Sequence, residues 1–457
     1  MHDTNYLPDV RSQYEALPYP PCNPEDDHHR LDRTWLEVLP MLNHYCFGGR
    51  QSFQNHFRVL VAGGGTGDAT IFLAEQLRHT NADIVHLDMS AASIAIAKRR
   101  AEIRGLRNIT WVHDSLLNLP QLGMAPFDYI NCSGVLHHLA DPDAGLRALR
   151  SVLRQDGPLP GAIGLMVYAT TGRTGVYQMQ ALMRLANSTP EGGTVDAPQK
   201  ITRTRDLLES LPPSNWFMRG QELYNDHKTG DAGLYDLLLH SQDRSYSVGE
   251  LFDWLGGPTD GAAAGHGFHL AFSDVQRGRS PYLPHMVMGR KPPQMAASLR
   301  ALPRRKQYEI AELVAGDIVT HSAYLTASAA CTAPYGDAAT IPFFCNEPLT
   351  GALAAEVFAS NRGQPFMLRH QHARVELRVN PGKYGPQILR LIDGQRSFGE
   401  IFDQFRKDWR GQATAPDNTT LFADFAESYD TLNALERLLL RHPDAGAPLA
   451  PPAEKPV

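Results

Sequence analysis

The chain has 457 residues, of which 42% are hydrophobic and 20% charged, as in folded proteins large enough for two or three domains. Its formal net charge of −6 gives no basic field, so bulk binding of nucleic acid is not expected. The five cysteines are scattered and form no Cys-x-x-Cys pair, which indicates a reducing compartment and predicts neither disulfides nor a metal site. We find no signal peptide and no apolar run of membrane-spanning length, and we therefore expect a cytoplasmic protein without membrane association.

Residues 1–30 form a proline-rich leader. Three prolines between residues 18 and 21 exclude a helix there. The leader is interpreted either as a strap on the domain surface or as a lid over a ligand, with Tyr14 and Tyr19 facing that ligand. A helix interrupted by one proline is expected over residues 31–47.

A glycine-rich turn follows the first predicted strand. Residues 58–68 read Arg-Val-Leu-Val-Ala-Gly-Gly-Gly-Thr-Gly-Asp, followed by a helical pattern. The apolar run is typical of a parallel strand that is buried on both faces. Glycines let the backbone approach a ligand, and a helix N-terminus offers free N–H groups to an anion. The turn is not of the dinucleotide-binding type, because Asp68 stands where that motif requires glycine.

The next predicted strands end in acids. Asp88 ends the second strand, 21 residues after Gly67, the usual place for a carboxylate that accepts from ribose hydroxyls. Asp114 ends the third strand, and Ser-Gly-Val-Leu-His-His-Leu follows the fourth at residues 133–139. Strands and helices alternate, as expected for a parallel doubly wound sheet.

The glycine turn, the two acids and the Gly-Val-Leu-His-His-Leu segment, in this order, resemble the class I S-adenosylmethionine (SAM)-dependent methyltransferases. The resemblance covers residues 57–169. It implies a Rossmann-like, doubly wound, mostly parallel seven-stranded sheet, with SAM as the cofactor. One departure is Ala62, where many members carry an acid that helps to orient the amino end of SAM.

The resemblance and the chemistry of SAM together assign the cofactor contacts. Backbone N–H groups of the glycine turn suit the methionine carboxylate, and Asp88 suits the ribose diol. A surface acid remains the alternative for both Asp88 and Asp114. The expected cofactor-binding residues are Gly63, Gly64, Gly65, Gly67, Asp88, Met89, Asp114, Ser115, Leu116, Ser133 and Gly134.

Methyl transfer is an in-line displacement in which the leaving sulfide needs no proton, so the protein mainly supplies alignment and a desolvated pocket. A base is required only if the acceptor arrives protonated. His137 and His138 are the candidates, with a structural role under the methionine of SAM as the alternative. A polar network within the fold is the alternative to an acceptor pocket for the other candidates. Those candidates are Tyr14, Tyr19, Tyr168, Arg173, Tyr177, His240 and Arg244.

The later chain departs from strand–helix alternation. Residues 169–250 predict a helical insertion on the acceptor side of the sheet. Residues 285–291 resemble the final strand of the fold, so the methyltransferase domain is expected to span residues 31–293. Residues 296–442 predict a smaller α+β domain that resembles winged-helix-like modules, and residues 443–457 predict a disordered tail.

The C-terminal region leaves three functions to consider for the chain. The predicted helix at residues 397–409 mixes acids with bases, which favours a packing or partner-binding role over DNA reading. The architecture is similar to that of bacterial methyltransferases with a regulatory domain, which include the outer-membrane-protein lysine methyltransferases. The preferred function is methyl transfer to a small molecule or a protein side chain. The alternatives are a SAM-fold scaffold without catalysis and a transcriptional regulator, and the oligomeric state stays open.

Overall fold

A large mixed sheet flanked by helices forms the centre of the molecule. The computed structural model describes residues 7–257, 265–273, 282–288, 294–345, 349–361, 364–369, 376–411, 414–446 and 449. Across this part of the chain, no helix combines the length and the apolar composition needed to cross a bilayer.

The central sheet has the predicted topology. Its strands are β1 (Arg58–Ala62), β2 (Asp83–Asp88), β3 (Ile109–His113), β4 (Tyr129–Ser133), β5 (Ala162–Ala169), β6 (Ser245–Tyr246), β7 (His269–Ser273) and β8 (Thr320–Thr326). The order is β3-β2-β1-β4-β5-β8-β7, and the short β6 pairs with the end of β5. Strands β1 to β5 are parallel, whereas β8 is antiparallel to β5 and β7. The predicted Rossmann-like, mostly parallel seven-stranded sheet is therefore confirmed.

Strands β2 and β3 lie on one side of β1, and β4 and the later strands lie on its other side. Strands β1 and β4 pair in parallel, with Val61 opposite Asn131 near their carboxyl ends. The helix after β1 and the connection after β4 consequently diverge, and a crevice opens between them. Ligands of open α/β sheets bind in this position.

Capping side chains and a proline mark the starts of helices around this sheet. The helices are α1 (Pro8–Ala16), α2 (Leu39–Cys46), α3 (Asp68–Gln76), α4 (Ala91–Ile103) and α5 (Pro142–Ser151). Ser90 Oγ accepts from the Ser93 N–H at the start of α4, and Asp141 accepts from two N–H groups of α5. The helix expected from residue 31 begins only at Leu39, because Pro40 occupies its first turn.

Helices dominate residues 169–250. They are α6 (Thr174–Ala186), α7 (Ala197–Ser210), α8 (Trp216–Gly220) and α9 (Asp231–Leu238), and α10 (Val248–Leu255) follows β6. Between α8 and α9 the chain forms two 3-10 turns, Gln221–Leu223 and Asp226–Lys228. Val176, Met179 and Phe217 share a small apolar core with Leu237.

The final strand predicted at residues 285–291 is wrong. Pro284–Val287 forms the helix α11, which a proline in its first turn favours, and residues 289–291 lie outside the described part. Two helices follow, α12 (Ala296–Leu299) and α13 (Arg304–Ala315). The strand that completes the sheet is β8, so the sheet extends beyond the boundary expected at residue 293.

The C-terminal elements form a second apolar core. They are β9 (Ile341–Phe344), α14 (Gly351–Ser360), β10 (Phe366–Arg369), β11 (Glu376–Val379), α15 (Gly385–Leu391), α16 (Phe398–Lys407), α17 (Asn418–Ala434) and β12 (Leu438–Arg441). Strands β9 and β12 pair antiparallel, as do β10 and β11. Phe398, Ile401, Phe402 and Phe405 of α16 are buried, as their spacing predicts.

The start of the predicted disordered tail has a defined structure. Pro443–Ala445 forms a 3-10 turn with Ala445 buried, and Asp444 pairs with Arg50 at 2.5 Å. The buried Ala445 and the contact with Arg50 attach this segment to the rest of the chain. Residues 447–448 and 450–457 of the predicted tail lie outside the described residues, as do residues 1–6 of the leader.

A buried histidine joins the two halves of the chain. His44 on α2 has its Nδ1 3.1 Å from the carbonyl oxygen of Leu440 on β12, and its Nε2 3.2 Å from the Asn433 side-chain amide. The Leu440 N–H also lies 3.0 Å from His44 Nδ1, so both polar backbone groups of Leu440 face the same ring nitrogen. Ser273 at the end of β7 also donates to Glu436, at 2.6 Å.

Candidate active site

A cavity of about 1180 Å³ opens at the carboxyl ends of the parallel strands. It exceeds the roughly 300–1,000 Å³ of common small-ligand sites, so it has room for a cofactor and an acceptor group. Most of the predicted cofactor residues border it. They are Gly63, Gly64, Gly65, Asp88, Met89, Asp114, Ser115, Leu116, Ser133 and Gly134.

Gly67 is the exception, since it does not border the cavity. It precedes α3 with φ of 104°, and a Cβ there would lie 2.8 Å from the Ala97 Cβ on α4. Glycine is therefore required for the turn and for close packing of two helices. Gly65, in contrast, lies under the leader, where a Cβ would come within 2.7 Å of the Tyr19 carbonyl oxygen.

The N–H groups of the glycine turn are already engaged. Gly63 and Gly64 donate to the Leu87 carbonyl at 2.8 and 3.1 Å, and Gly67 donates to the Gly64 carbonyl at 3.0 Å. Gly65 donates to Asp88. The predicted binding of a carboxylate by these N–H groups is not supported by this geometry. No side chain caps the first turn of α3, which carries Asp68.

Asp88 is a buried acid that organises the turn. Its Oδ2 accepts from the Gly65 N–H at 2.7 Å, and its Oδ1 accepts from the Ser90 N–H at 2.8 Å. Burial raises the pKa of Asp88, and the two N–H donors oppose this shift. Asp114 is organised similarly, because its Oδ1 accepts from the Ser115 N–H and from the Asn118 side chain, both at 2.7 Å.

The leader covers the glycine turn and the start of α4. The Pro20 carbonyl accepts from the Thr66 hydroxyl at 2.8 Å, and the Tyr14 carbonyl accepts from the Ser90 hydroxyl at 3.1 Å. The Glu15 carboxylate accepts from the first two N–H groups of α4, at 2.8 and 3.2 Å, as an acid at a helix N-terminus should. Leader residues thus form one wall of the cavity.

A buried cluster of charged side chains attaches the leader to α4. Asp27 accepts from Arg100 and from Arg104, both on α4, at 2.6 Å each. Arg104 also pairs with Glu75 at 3.0 Å, and Arg100 pairs with Asp68 at 2.5 Å. This cluster could not be predicted, because Asp27, Asp68 and the two arginines are distant along the chain.

Two aspartates outside the predicted set meet the leader tyrosines. Asp236 accepts from the Tyr14 hydroxyl at 3.0 Å and from the Tyr168 hydroxyl at 3.1 Å. Asp226 accepts from the Tyr19 hydroxyl at 3.0 Å. Asp236 stands in the run Leu-Tyr-Asp-Leu-Leu, and a lone acid among apolar helical residues signals a buried polar group.

The two histidines after β4 face different surroundings. His138 borders the cavity, whereas His137 is stacked behind on the Tyr168 ring, with ring centroids 3.9 Å apart. Burial lowers the pKa of both, so both are neutral near pH 7. His138 Nδ1 donates to the Gln242 carbonyl at 2.9 Å, and its Nε2 lies 3.0 Å from His137 Nε2. With His137 as donor, His138 keeps no free lone pair, which favours a structural role.

His138, Asp236 and His240 could by their spacing hold a metal ion. Hydrogen bonds already use their ligand atoms, however. The Gln242 N–H donates to His240 Nδ1 at 3.1 Å, so the neutral ring carries its proton on Nε2, 3.2 Å from the Tyr14 hydroxyl. Burial lowers the pKa of His240 to about 2, which keeps it neutral. These contacts favour a hydrogen-bonded network over a metal centre.

The remaining predicted acceptor residues divide into two groups. Arg173 borders the cavity with its guanidinium 3.5 Å above the Tyr168 ring, and its Nε and Nη2 are buried without a hydrogen-bond partner in the described structure. Tyr177 lies behind it, 5.8 Å from the guanidinium. Arg244 is outside the cavity, half-exposed, and pairs with Glu250 at 3.6 Å.

Comparisons with known proteins agree with this arrangement. A family model described as a methyltransferase domain matches residues 60–159. An uncharacterized protein of Synechococcus sp. is 32% identical over 318 residues, which cover 68% of this chain and 69% of that protein. The tRNA 5-carboxymethoxyuridine methyltransferase of Escherichia coli O157:H7 is 36% identical over 195 residues, 41% of this chain and 72% of the relative.

A solved structure extends the likeness of fold to most of the chain. The structure of PKMT2 from Rickettsia typhi in complex with AdoHcy superimposes with a TM-score of 0.54, at 14% identity, over 90% of this chain and 76% of that one. At this identity the match supports the fold alone. Together with the matched domain, the curated relatives and the cavity at the sheet's carboxyl edge, it leads to one conclusion: the chain belongs to the class I SAM-dependent methyltransferases, with SAM as its cofactor.

Proposed function

We propose that the chain transfers the methyl group of SAM to a small molecule or a protein side chain by in-line displacement. The observation that carries this proposal is the meeting of two segments over one end of the cavity. Tyr14 and Tyr19 of the leader contact Asp236 and Asp226 of the helical region. All four border the same cavity as the predicted cofactor residues, and we call the part that they line the polar compartment.

The residues of the cavity suit the ribose and the adenine of SAM. Asp88 would accept from the ribose, and Asp114 to Leu116 would border the adenine. SAM, when bound, supplies the activated methyl group. The chain aligns the acceptor and excludes water, which is the main contribution such a displacement requires.

The acceptor's own proton would pass to the Tyr14–Asp236 pair rather than to a histidine. Asp236 is buried, and burial raises its pKa, so its carboxylate is more basic than an exposed one. Tyr14 and Tyr168 donate to its two oxygens and can relay a proton. His138 has both nitrogens engaged.

The E. coli relative supports a second candidate, since its name specifies methylation of a modified uridine in tRNA. The net charge of −6 and the aspartates around the compartment disfavour a polyanion at this site. One transfer assay can distinguish a tRNA acceptor from a protein or small-molecule acceptor.

The test is a transfer assay with methyl-labelled SAM against a cell lysate, separated into protein, small-molecule and RNA fractions. We expect label in the protein or small-molecule fraction. Asp236→Asn should abolish transfer and keep affinity for S-adenosylhomocysteine within about tenfold. Label confined to an RNase-sensitive fraction would establish the tRNA candidate. Cofactor binding without transfer to any fraction would support a scaffold role.

A further inference from the structure

Strand β1 carries no carboxylate at its cavity end, where Val61 and Ala62 are both apolar. SAM brings an ammonium group to this region, and a buried cation without a negative partner is costly. The cavity must therefore contain another acid at this position, or the ammonium must remain solvated. The residues around the end of β1 distinguish these two cases.

Glu37 lies at this position. Its exposed fraction is 2%, and it borders the same cavity as Val61 and Asn131. Its carboxylate accepts a short hydrogen bond from the Asn131 side chain, and Asn131 is the residue on β4 directly opposite Val61. The neighbours of Glu37 in the chain, Leu36 and Val38, pack in the same apolar layer as Val61.

The backbone around Glu37 is fixed by contacts from two elements of the core. The Gln76 side chain on α3 donates to the Glu37 carbonyl at 2.8 Å and accepts from the Leu39 N–H at 3.2 Å. The Tyr129 hydroxyl on β4 donates to the Leu36 carbonyl at 2.7 Å. Four hydrogen bonds that involve three side chains thus hold an acid at the cavity wall, on a segment that is neither strand nor helix. This is the preorganisation that a binding residue requires.

We propose that Glu37 supplies the carboxylate that binds the ammonium group of SAM. The negative partner then comes from the segment before α2 instead of from β1. Asn131 orients the Glu37 carboxylate. This inference rests on the proposed function only in that SAM must bind the cavity.

The test compares two ligands that differ in the amino-acid end. S-adenosylhomocysteine carries the ammonium group but no sulfonium, and 5′-methylthioadenosine carries neither. Calorimetry of Glu37→Gln should show affinity for S-adenosylhomocysteine weakened by about 10- to 100-fold. Affinity for 5′-methylthioadenosine should remain within about twofold, because glutamine keeps the shape and an acceptor for Asn131.

Glu37→Asp is the second variant, because it keeps the charge but shortens the side chain by one methylene. It should weaken the affinity for S-adenosylhomocysteine by an intermediate amount and leave the affinity for 5′-methylthioadenosine unchanged. Thermal melting without ligand checks that both variants fold. An unchanged affinity of Glu37→Gln for S-adenosylhomocysteine, or an equal loss for both ligands, would overturn the proposal and leave the proposed function intact. A wild-type protein that binds neither ligand would overturn both.

Discussion

The Asp88 carboxylate accepts a 2.7 Å hydrogen bond from the backbone N–H of Gly65, 23 residues earlier in the chain. The acid at the end of β2 therefore shapes the glycine turn as well as facing the cavity. Its second oxygen holds the Ser90 N–H at the start of α4. One side chain thus couples the ribose side of the site to the turn and to a helix.

Asp88→Ala is expected to impair both binding and stability. Loss of the ribose contacts should weaken SAM by about 1.5–3 kcal/mol, or 10- to 100-fold. Two N–H groups also lose their acceptor, which should lower the free energy of unfolding by about 1–3 kcal/mol. Calorimetry and urea unfolding measure the two effects. Asp83→Ala, at the far end of β2 and paired with Arg58 at the surface, is the matched control and should leave SAM affinity unchanged.

The contribution of the buried charge cluster to stability can be tested by replacing two acids of the leader, one buried and one exposed. Asp27→Asn leaves Arg100 and Arg104 without their shared buried partner, which should cost about 3–5 kcal/mol. Glu25→Gln removes only the exposed pair with Arg99 and should cost less than about 1 kcal/mol. Urea unfolding and limited proteolysis of the leader should separate the two variants. A loss for Asp27→Asn below about 1 kcal/mol would show that the buried cluster contributes no more than an exposed ion pair.

We expect the free energy of unfolding to fall at acidic pH, because His44 binds a proton more readily in the unfolded chain. Burial lowers its pKa from 6.5 to about 4, so the unfolded chain binds more protons between these values. The contribution of His44 is complete above pH 6.5 and is lost as the pH falls towards 4, by on the order of 2–3 kcal/mol. His44→Gln should reduce the difference in unfolding free energy between pH 7.5 and 4.5. His29→Gln, at an exposed histidine, should leave that difference unchanged.

The C-terminal core depends on the apolar face of α16. Phe402 is fully buried, so Phe402→Asp should destabilise these elements by at least about 3 kcal/mol, seen as faster proteolysis after residue 326. Lys407→Gln, on the exposed side of the same helix, changes the net charge by the same one unit and is the control. The isolated C-terminal elements should not shift duplex DNA at physiological salt. A shift that weakens steeply with added salt would instead support the regulator alternative.

Residues whose partners are close in the chain could be predicted. The glycine turn after β1, Asp88 at the end of β2 and the segment after β4 each follow a predicted strand, and all the predicted cofactor residues except Gly67 border the cavity. Asp27 and Asp236 could not be identified in this way. Each acts through partners more than 60 residues away, and an isolated acid in a sequence is usually solvated.

Strand β8 was missed for a different reason. Its residues Thr-His-Ser-Ala-Tyr-Leu-Thr mix polar and apolar side chains, yet nearly all are buried, because β5 and β7 lie on its two edges and polar groups find partners inside. His321, for example, lies 2.8 Å from the Tyr246 carbonyl oxygen. Residues 285–291 contain the uninterrupted apolar run Met-Val-Met, which is more typical of a buried strand, although the preceding proline favours a helical turn.

The position of β8 also sets where the chain can be shortened. A fragment that ends at residue 293 would lack the strand that joins β5 to β7, and the backbone groups of β5 would become an open edge. Such edges promote pairing between molecules and aggregation. Recombinant truncations that retain the SAM cavity should therefore extend past Thr326, and fragments that stop earlier should form inclusion bodies even though every predicted cofactor residue is present.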